Sequence, residues 1–290
     1  IKWLLRKSKV RFATFLPTLL PAQLHYTNLR SHRKILVTDG QLGFTGGLNI
    51  REGHLCEPDC RHPVQDLHFR VEGPVVAHLR ETFASDWEFT TGERLDGQGW
   101  FPRLPPRGHT LARGIADGPD LDSDKIRLTI LGAIGCARHS LEIITPYFLP
   151  EQPLITALNV AAMRGVSVNI FLPERNNLKL VEWACMAQLW QMLQRGCRVW
   201  LTPPPFDHSK LMIVDGVWSL IGSANWDARS LRLNFEFNVE CYDRDLAAEL
   251  GAIIQKKRSS AREITLADVD ARPTWKRLRD GVCRLALPYL

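Results

Sequence analysis

The sequence predicts an α/β protein made of two layered α/β repeats related by a pseudo-twofold axis, the first of them incomplete. Three observations predict it. The segment from His32 to Asn49, HRKILVTDGQLGFTGGLN, aligns without a gap with that from His208 to Asn225, HSKLMIVDGVWSLIGSAN, at a constant offset of 176 (208 less 32). Helical and strand-like patterns alternate through the second half of the chain. A Gly/Pro-rich stretch separates the two copies.

Residues 1–21, IKWLLRKSKVRFATFLPTLLP, mix basic and apolar side chains. Such a segment inside a domain packs into a core, and an interfacial helix is the alternative. Lys34 to Thr38 and Lys210 to Val214 are apolar or β-branched, each runs into Asp-Gly, and a second β-rich run follows, which together signal a hairpin. Residues 91–121, including RLPPRG, read as a linker. Beyond it come a helix over 123–139, a strand at Leu141 to Thr145, a helix from Gln152 to Arg164 and a strand from Val166 to Leu172. A helix from Leu178 to Arg195, a strand from Arg198 to Leu201, the hairpin from His208, a strand near Glu236 and a helix from about Asp245 complete the unit. Trp183 and Trp190, seven apart, are expected to face the core rather than border a lipid groove.

This gives four segments: the C-terminal part of a first repeat (1–90), the linker (91–121), the second repeat (122–255) and a tail (256–290). The tail places apolar residues at helical spacing among Arg and Lys, so it either lies on a membrane surface or packs on the body. Carrying the offset backwards aligns Ile1 with Asn177. The first repeat is therefore expected to begin partway, without counterparts to residues 122–176, and to expose apolar surface where strands are missing.

Composition sets the outer bounds. With 290 residues, 45% hydrophobic and 23% charged, the chain is not disordered, collagenous or a coiled coil. The surplus of six positive charges suits a phosphate-bearing partner without choosing between nucleic acid and anionic lipid. No apolar run is long enough to span a bilayer. Seven cysteines, an odd number scattered along the chain, argue against a disulfide framework. The cluster His54, Cys56, Cys60 and His62 has no usual zinc spacing and reads as a polar loop before it reads as a metal site or a local disulfide.

The chemistry lies in the repeat. Six aligned positions are identical, namely His, Lys, Asp, Gly, Gly and Asn. In a strand, residues i and i+2 share a face, so His32 projects beside Lys34 and His208 beside Lys210. Asp39 and Asp215 occupy the turns, where Asp holds a strand end; a direct electrostatic part in catalysis is the alternative. Each copy has a carboxylate downstream in a strand-like run, Asp66 and Glu236. A reactive His needs its second ring nitrogen held, which suggests the pairs Asp66 with His32 and Glu236 with His208. Two His, two Lys and two Asn converging about a twofold can neutralise a phosphodiester, one imidazole attacking phosphorus and the other protonating the leaving alkoxide. Lys and Asn then supply the charge stabilisation, and neither metal nor cofactor is expected.

The doubled His-x-Lys-x4-Asp motif with its following Gly-x-x-Asn resembles the phospholipase D superfamily. More narrowly, IITPYFLPEQPLITALNVAAMRGVSVNIFLP and RSLRLNFEFNVECYD resemble the bacterial cardiolipin synthases of the phospholipase D type, over most of residues 20–250. The resemblance implies two phospholipase D-like repeats with His32 and His208 as nucleophile and acid–base pair, His32 being the expected nucleophile. Lys34, Lys210, Asn49 and Asn225 would hold the phosphate, with Gly47 and Ser223 beside them as substrate-binding positions, and Asp66 and Glu236 would orient the histidines. It further implies a phosphatidyltransferase making cardiolipin from phosphatidylglycerol or another phosphatidyl donor. The expected setting is peripheral, on the bacterial cytoplasmic membrane, with phospholipid as substrate, no nucleic acid and no obligate protein partner. Water as acceptor would give a phospholipase D hydrolase, and the basic charge leaves a nucleic-acid phosphodiesterase as a further alternative. A lipid-binding relic is disfavoured, because no motif member is lost. The acceptor is left open.

Overall fold

The computed structural model describes residues 2–16, 29–55, 60–119 and 123–285. The first repeat contributes α1 (Lys2–Lys7), β1 (Ile35–Thr38), β2 (Leu42–Gly46), β3 (Val64–Gln65), β4 (His68–Glu72) and α2 (Val75–Thr91). Strands β1, β2 and β4 form an antiparallel sheet in that order, with Ile35 opposite Thr45 and Leu42 opposite Glu72. Asp39 and Gly40 carry the hairpin turn at φ 51° and 63°, and Asp215 and Gly216 repeat it at 52° and 62°. Two successive left-handed residues match the right-handed twist of the flanking strands, which is why Asp-Gly marks both turns.

The second repeat runs β5 (Leu111–Asp117), α3 (Lys125–Cys136), β6 (Ser140–Ile144), β7 (Phe148–Leu149), α4 (Gln152–Met163), β8 (Ser167–Pro173), α5 (Lys179–Met186), α6 (Trp190–Leu193) and β9 (Arg198–Thr202). It continues with β10 (Phe206–Asp207), β11 (Leu211–Val214), β12 (Trp218–Gly222), β13 (Trp226–Asp227), α7 (Ala228–Arg232), β14 (Glu236–Tyr242), α8 (Arg244–Ser260), β15 (Arg262–Ile264), α9 (Leu266–Asp270) and α10 (Thr274–Leu285). Eight strands make one mixed sheet in the order β15-β9-β8-β6-β11-β12-β14-β5. Strands β6, β8 and β9 are parallel, joined by helical crossovers, and the rest pair antiparallel.

Both faces of this sheet are covered, so its central strands are apolar throughout rather than alternating. Met212 and Val214 join the core beneath α3, α4, α5 and α6. Their neighbours Leu211 and Ile213 face the opposite way, with Phe237 and Val239, toward Leu250 and Ile254 of α8 and Leu79 of α2. Ile35, Val37, Phe69 and Val71 of the first sheet pack on that same cluster. One apolar core therefore binds the repeats together, each buried aliphatic or aromatic side chain contributing about 1.5–3 kcal/mol. Gly114 in β5 lets the sheet close: a Cβ there would come within 2.7 Å of both His78 and Phe237.

Several expectations need correction. The linker is not wholly a connection, because residues 111–117 form β5, paired along its whole length with β14. The helix expected over 178–195 is broken into α5 and α6; buried Gln188 lies in the break and donates from its carboxamide to the Pro150 carbonyl. Neither tryptophan of that stretch is core-facing. The Arg279 guanidinium stacks over Trp183 at 4.0 Å, and Trp190 is 41% exposed. The N-terminal segment exposes Trp3 and Leu4 on α1, and the rest of its apolar run, residues 17–28, lies outside the described residues. Strand β1 pairs with β2 on one edge and with no described strand on the other, whereas its counterpart β11 is flanked by β6 and β12. Leu36 on β1 is exposed. Among the described residues no helix is long and apolar enough to cross a membrane.

Candidate active site

The two repeats meet along their reactive strands. The His32 amide donates to the Phe235 carbonyl at 2.8 Å, and the Phe235 amide donates back to Arg30. On the other side β10 lies parallel to β3, and the His208 amide donates to the Gln65 carbonyl at 2.7 Å. Each histidine is thus laid beside the residue that precedes the other repeat's carboxylate. The expected pairing is corrected accordingly: His32 Nδ1 meets both oxygens of Glu236 at 2.9 Å, and His208 Nδ1 meets Asp66 Oδ2 at 2.8 Å. The pairs cross between repeats because each histidine is tied through its backbone amide to the residue before the other repeat's carboxylate.

The lysines stand where the strand period puts them. Lys34 Nζ donates to the His32 carbonyl at 2.7 Å, and Lys210 Nζ donates to the His208 carbonyl while lying 3.0 Å from His208 Nδ1. Burial pulls the Lys34 ammonium down to about 8 against the pull of Glu236 and Asp66. Burial brings Lys210 down to about 7, with the neighbouring Lys34 adding to the fall and Asp66 opposing it. Burial, then Lys210 and Lys34, push His208 down to about 2, so its imidazole is neutral in the free protein.

The two carboxylates are not equivalent. Glu236 is fully buried, and burial alone would raise it, yet the charge and hydrogen bond of His32 and the Ser223 hydroxyl hold it below its ordinary value. Ser223 Oγ donates to Glu236 Oε2 at 2.6 Å. At the matching place in the first repeat stands Gly47, where a Cβ would lie only 2.2 Å from Asp66 Oδ1. Asp66 therefore has no hydroxyl donor from that position. Burial lifts its carboxyl to about 6, with Lys210 and the Leu67 amide offsetting only part of the rise. Ser223 and Gly47, expected as substrate-binding positions, lie against the carboxylates of Glu236 and Asp66.

Other predicted residues divide between cavity and scaffold. His32, His208 and Asn49 line one cavity of about 960 Å³. Asn225 is buried and does not line it; its carboxamide donates to Ser230 Oγ at 3.2 Å. Asp215 lies away from the chemistry, its carboxylate accepting from the amides of Arg138, His139 and Ser140, and exposed Asp39 holds only its turn. Both are corrected from the catalytic set to the scaffold.

Sequence reasoning missed His54 as part of this site. It is buried, its Nδ1 lies 3.8 Å from Asp66 Oδ2, and its ring stands edge-on to His208 at 5.8 Å. In the sequence it appeared only as one end of the Cys56/Cys60 loop, whose Cys56 lies outside the described residues; Cys60 is a free thiol. His54, Asp66 and His208 each offer a ligand atom within 4.8 Å of the others. The Lys210 ammonium already lies against His208 Nδ1, a like charge that opposes a cation there. Tyr147 is a second omission. Its ring packs edge-on to His208 at 6.2 Å and its hydroxyl donates to Asn177 Oδ1. The PYFLP run carried no signal of its own for that role.

Comparison with known proteins gives a consistent picture. Residues 130–258 match the family described as cardiolipin synthase, PLD-like domain. The chain is 34% identical over 288 residues to the cardiolipin synthase of Geobacillus thermodenitrificans, covering 99% of this chain and 57% of that protein. It is 36% identical over 263 residues to cardiolipin synthase A of Pseudomonas putida, covering 91% and 54%. The chain thus spans little more than half the length of these relatives. The crystal structure of phosphatidylserine synthase from Haemophilus influenzae Rd KW20 aligns with a TM-score of 0.69 over 90% of this chain and 71% of that one. At 14% identity this is a likeness of fold alone.

Proposed function

The chain belongs to the phospholipase D-like family, and from that premise we propose that it is a phosphatidyltransferase making cardiolipin from phosphatidylglycerol through a phosphohistidine. The observation that carries this reading is the crossed pair of His–carboxylate contacts, with buried Lys210 and half-buried Lys34 beside them and both histidines lining one cavity. It accounts for covalent transfer of a phosphodiester with the chain's own groups.

The asymmetry of the carboxylates divides the roles. Glu236, held ionised, fixes the Nδ1 proton of His32 and raises the nucleophilicity of Nε2. His32 attacks the phosphorus of phosphatidylglycerol, forming a P–N bond as the P–O bond to glycerol breaks, and His208 gives its proton to the departing glycerol oxygen. The incoming phosphate anion favours the protonated imidazole that the free protein disfavours. A hydroxyl of a second phosphatidylglycerol then attacks phosphorus, its proton passes to His208, and the P–N bond breaks to release cardiolipin. Lys34, Lys210 and Asn49 neutralise and hold the phosphate oxygens through both steps.

The membrane surface is met by α10. This helix is inverted: fully buried Asp280 faces the body, paired with Arg272 and Arg279, while Trp275, Leu278, Val282 and Leu285 are 60–81% exposed. Those four positions fall on one helical stripe, and the same helix carries Lys276, Arg277 and Arg284 on its other faces. An outward apolar stripe on a basic helix suits the interface of an anionic bilayer. The reaction is tested by incubating the protein with labelled phosphatidylglycerol and resolving the products. Cardiolipin and free glycerol in equal amounts are expected, and cleavage of duplex DNA without lipid turnover would overturn the reading.

A further inference from the structure

Three arginines that belong to neither repeat motif border the cavity of the catalytic histidines: Arg51, Arg61 and Arg175. All are exposed, and none forms a salt bridge with a carboxylate among the described residues. They come from separate parts of the chain. Arg51 follows the first-repeat hairpin, Arg61 precedes β3, and Arg175 follows β8 of the second repeat. Two aromatic rings, Tyr147 and Phe206, line the same cavity.

The charge at the centre is already balanced. Lys34 and Lys210 face Asp66 and Glu236, two cations against two anions, and His208 is neutral. The arginines are therefore surplus positive charge at the cavity rim, placed beyond the groups that hold the reacting phosphate. Planar guanidiniums bind phosphate oxygens in pairs, and unpaired ones keep their full capacity to do so.

Resting on the transfer reading above, we infer that Arg51, Arg61 and Arg175 form a second phosphate site, which takes the phosphodiester of the acceptor lipid. The acceptor phosphatidylglycerol carries one negative charge near the hydroxyl that must reach the phosphohistidine. Holding that charge at the rim presents the hydroxyl to the centre and leaves the glycerol backbone against Tyr147 and Phe206. Water and simple alcohols lack the anion and gain nothing from the arginines. The site thus selects an anionic lipid acceptor over water and makes the protein a transferase before a hydrolase.

The test compares the unsubstituted full chain with the triple variant Arg51→Gln, Arg61→Gln, Arg175→Gln in phosphatidylglycerol micelles containing ethanol. The ratio of cardiolipin to phosphatidylethanol should fall by at least about tenfold, the effect of about 1.4 kcal/mol on the anionic acceptor. A ratio that falls by less than that overturns the inference, since arginines serving the donor or the fold would depress both products together. A binding measurement keeps the site testable whatever the activity. Glycerophosphoglycerol should bind the unsubstituted chain at least about tenfold more tightly than the triple variant. Equal affinity overturns the site. Absence of both lipid products from the unsubstituted chain would count against the transfer reading, and the binding comparison would still decide on the arginines.

Discussion

Glu236 and His32, 204 positions apart in sequence, meet through both carboxylate oxygens at 2.9 Å. Ser223 donates to one of those oxygens and Asn234 approaches the other at 3.3 Å, so the carboxylate is fully engaged inside the protein. Glu236→Gln keeps shape and one acceptor but removes the charge that stabilises an imidazolium. Turnover should fall by at least about 100-fold with the fold retained, by analogy with neutralising the acid of a catalytic triad. Steady-state kinetics with circular dichroism check this, and activity within a few-fold of the parent would deny Glu236 that role.

The crossing of these pairs marks where the sequence stopped being legible. The hairpins, their Asp-Gly turns and the alternation of the second repeat were readable because each is a local pattern. His32, Lys34, His208 and Lys210 were readable as a site because they recur at a fixed offset. The choice of carboxylate for each histidine was not, since it depends on β10 lying along β3 and Phe235 lying along Arg30 and His32, contacts between segments about 140 to 200 residues apart. Strand β5 was hidden for a related reason. It has the flanks of a loop and gains its partner only from β14. His54 was overlooked because its proximity to two cysteines in sequence suggested a different chemistry.

Activity should follow a bell in pH. Asp66, with its carboxyl at about 6, must be ionised to orient His208, so kcat/KM falls as pH drops through about 6. Lys210 at about 7 and Lys34 at about 8 must be charged to bind phosphate, so it falls again as pH rises through those values. Lys34→Arg, which cannot titrate in this range, should retain more activity on the alkaline side. Stability has its own sign. Folding raises Asp66 from 3.8, so the native state binds the proton more tightly, and stability declines as pH climbs from 3.8 to about 6. Urea unfolding of Asp66→Asn should lack that decline; an unchanged pH slope would assign it to another group.

The division of labour between the histidines can be read with a donor whose leaving group needs no proton. With a phosphatidyl p-nitrophenyl ester, His208→Asn should still release nitrophenol once and accumulate an acid-labile phosphoenzyme, because His32 remains to attack. His32→Asn should give neither. Phosphoenzyme in His32→Asn alone would reverse the assignment, and its absence from both would remove the covalent scheme. Chelation of divalent ions should leave the burst intact, since the lysines supply the charge.

The inverted helix α10 makes separable predictions for its two faces. Leu278→Glu with Val282→Glu should weaken sedimentation with vesicles of phosphatidylglycerol and phosphatidylcholine by at least about tenfold, and should leave turnover of a soluble short-chain substrate in place. If the pair of substitutions instead dissociates a dimer and vesicle binding is unchanged, the stripe is a contact between copies of the chain. Asp280→Ala acts on the inner face. It leaves the Arg272 guanidinium half-buried without its carboxylate and should cost about 3 kcal/mol, seen as lower thermal stability and early proteolysis of the tail.

The sharpest test of the asymmetry lies in exchanging the two small residues beneath the carboxylates. Ser223→Gly removes the hydroxyl that donates to Glu236 and leaves the pair with His32 intact. The carboxyl of Glu236 should then rise, and a second protonation should cut activity on the acid side at a higher pH than in the parent. Gly47→Ser is not the mirror of that change. A Cβ at position 47 would lie 2.2 Å from Asp66 Oδ1, so Asp66 must move, and its 2.8 Å contact with His208 is lost. Ser223→Gly should therefore shift a pH profile at modest cost in rate, whereas Gly47→Ser should lower the rate at every pH by at least about tenfold. Should Gly47→Ser behave like the parent, the first-repeat loop would have room that this packing denies it, and the unequal carboxylates would have a cause other than the residue beneath them.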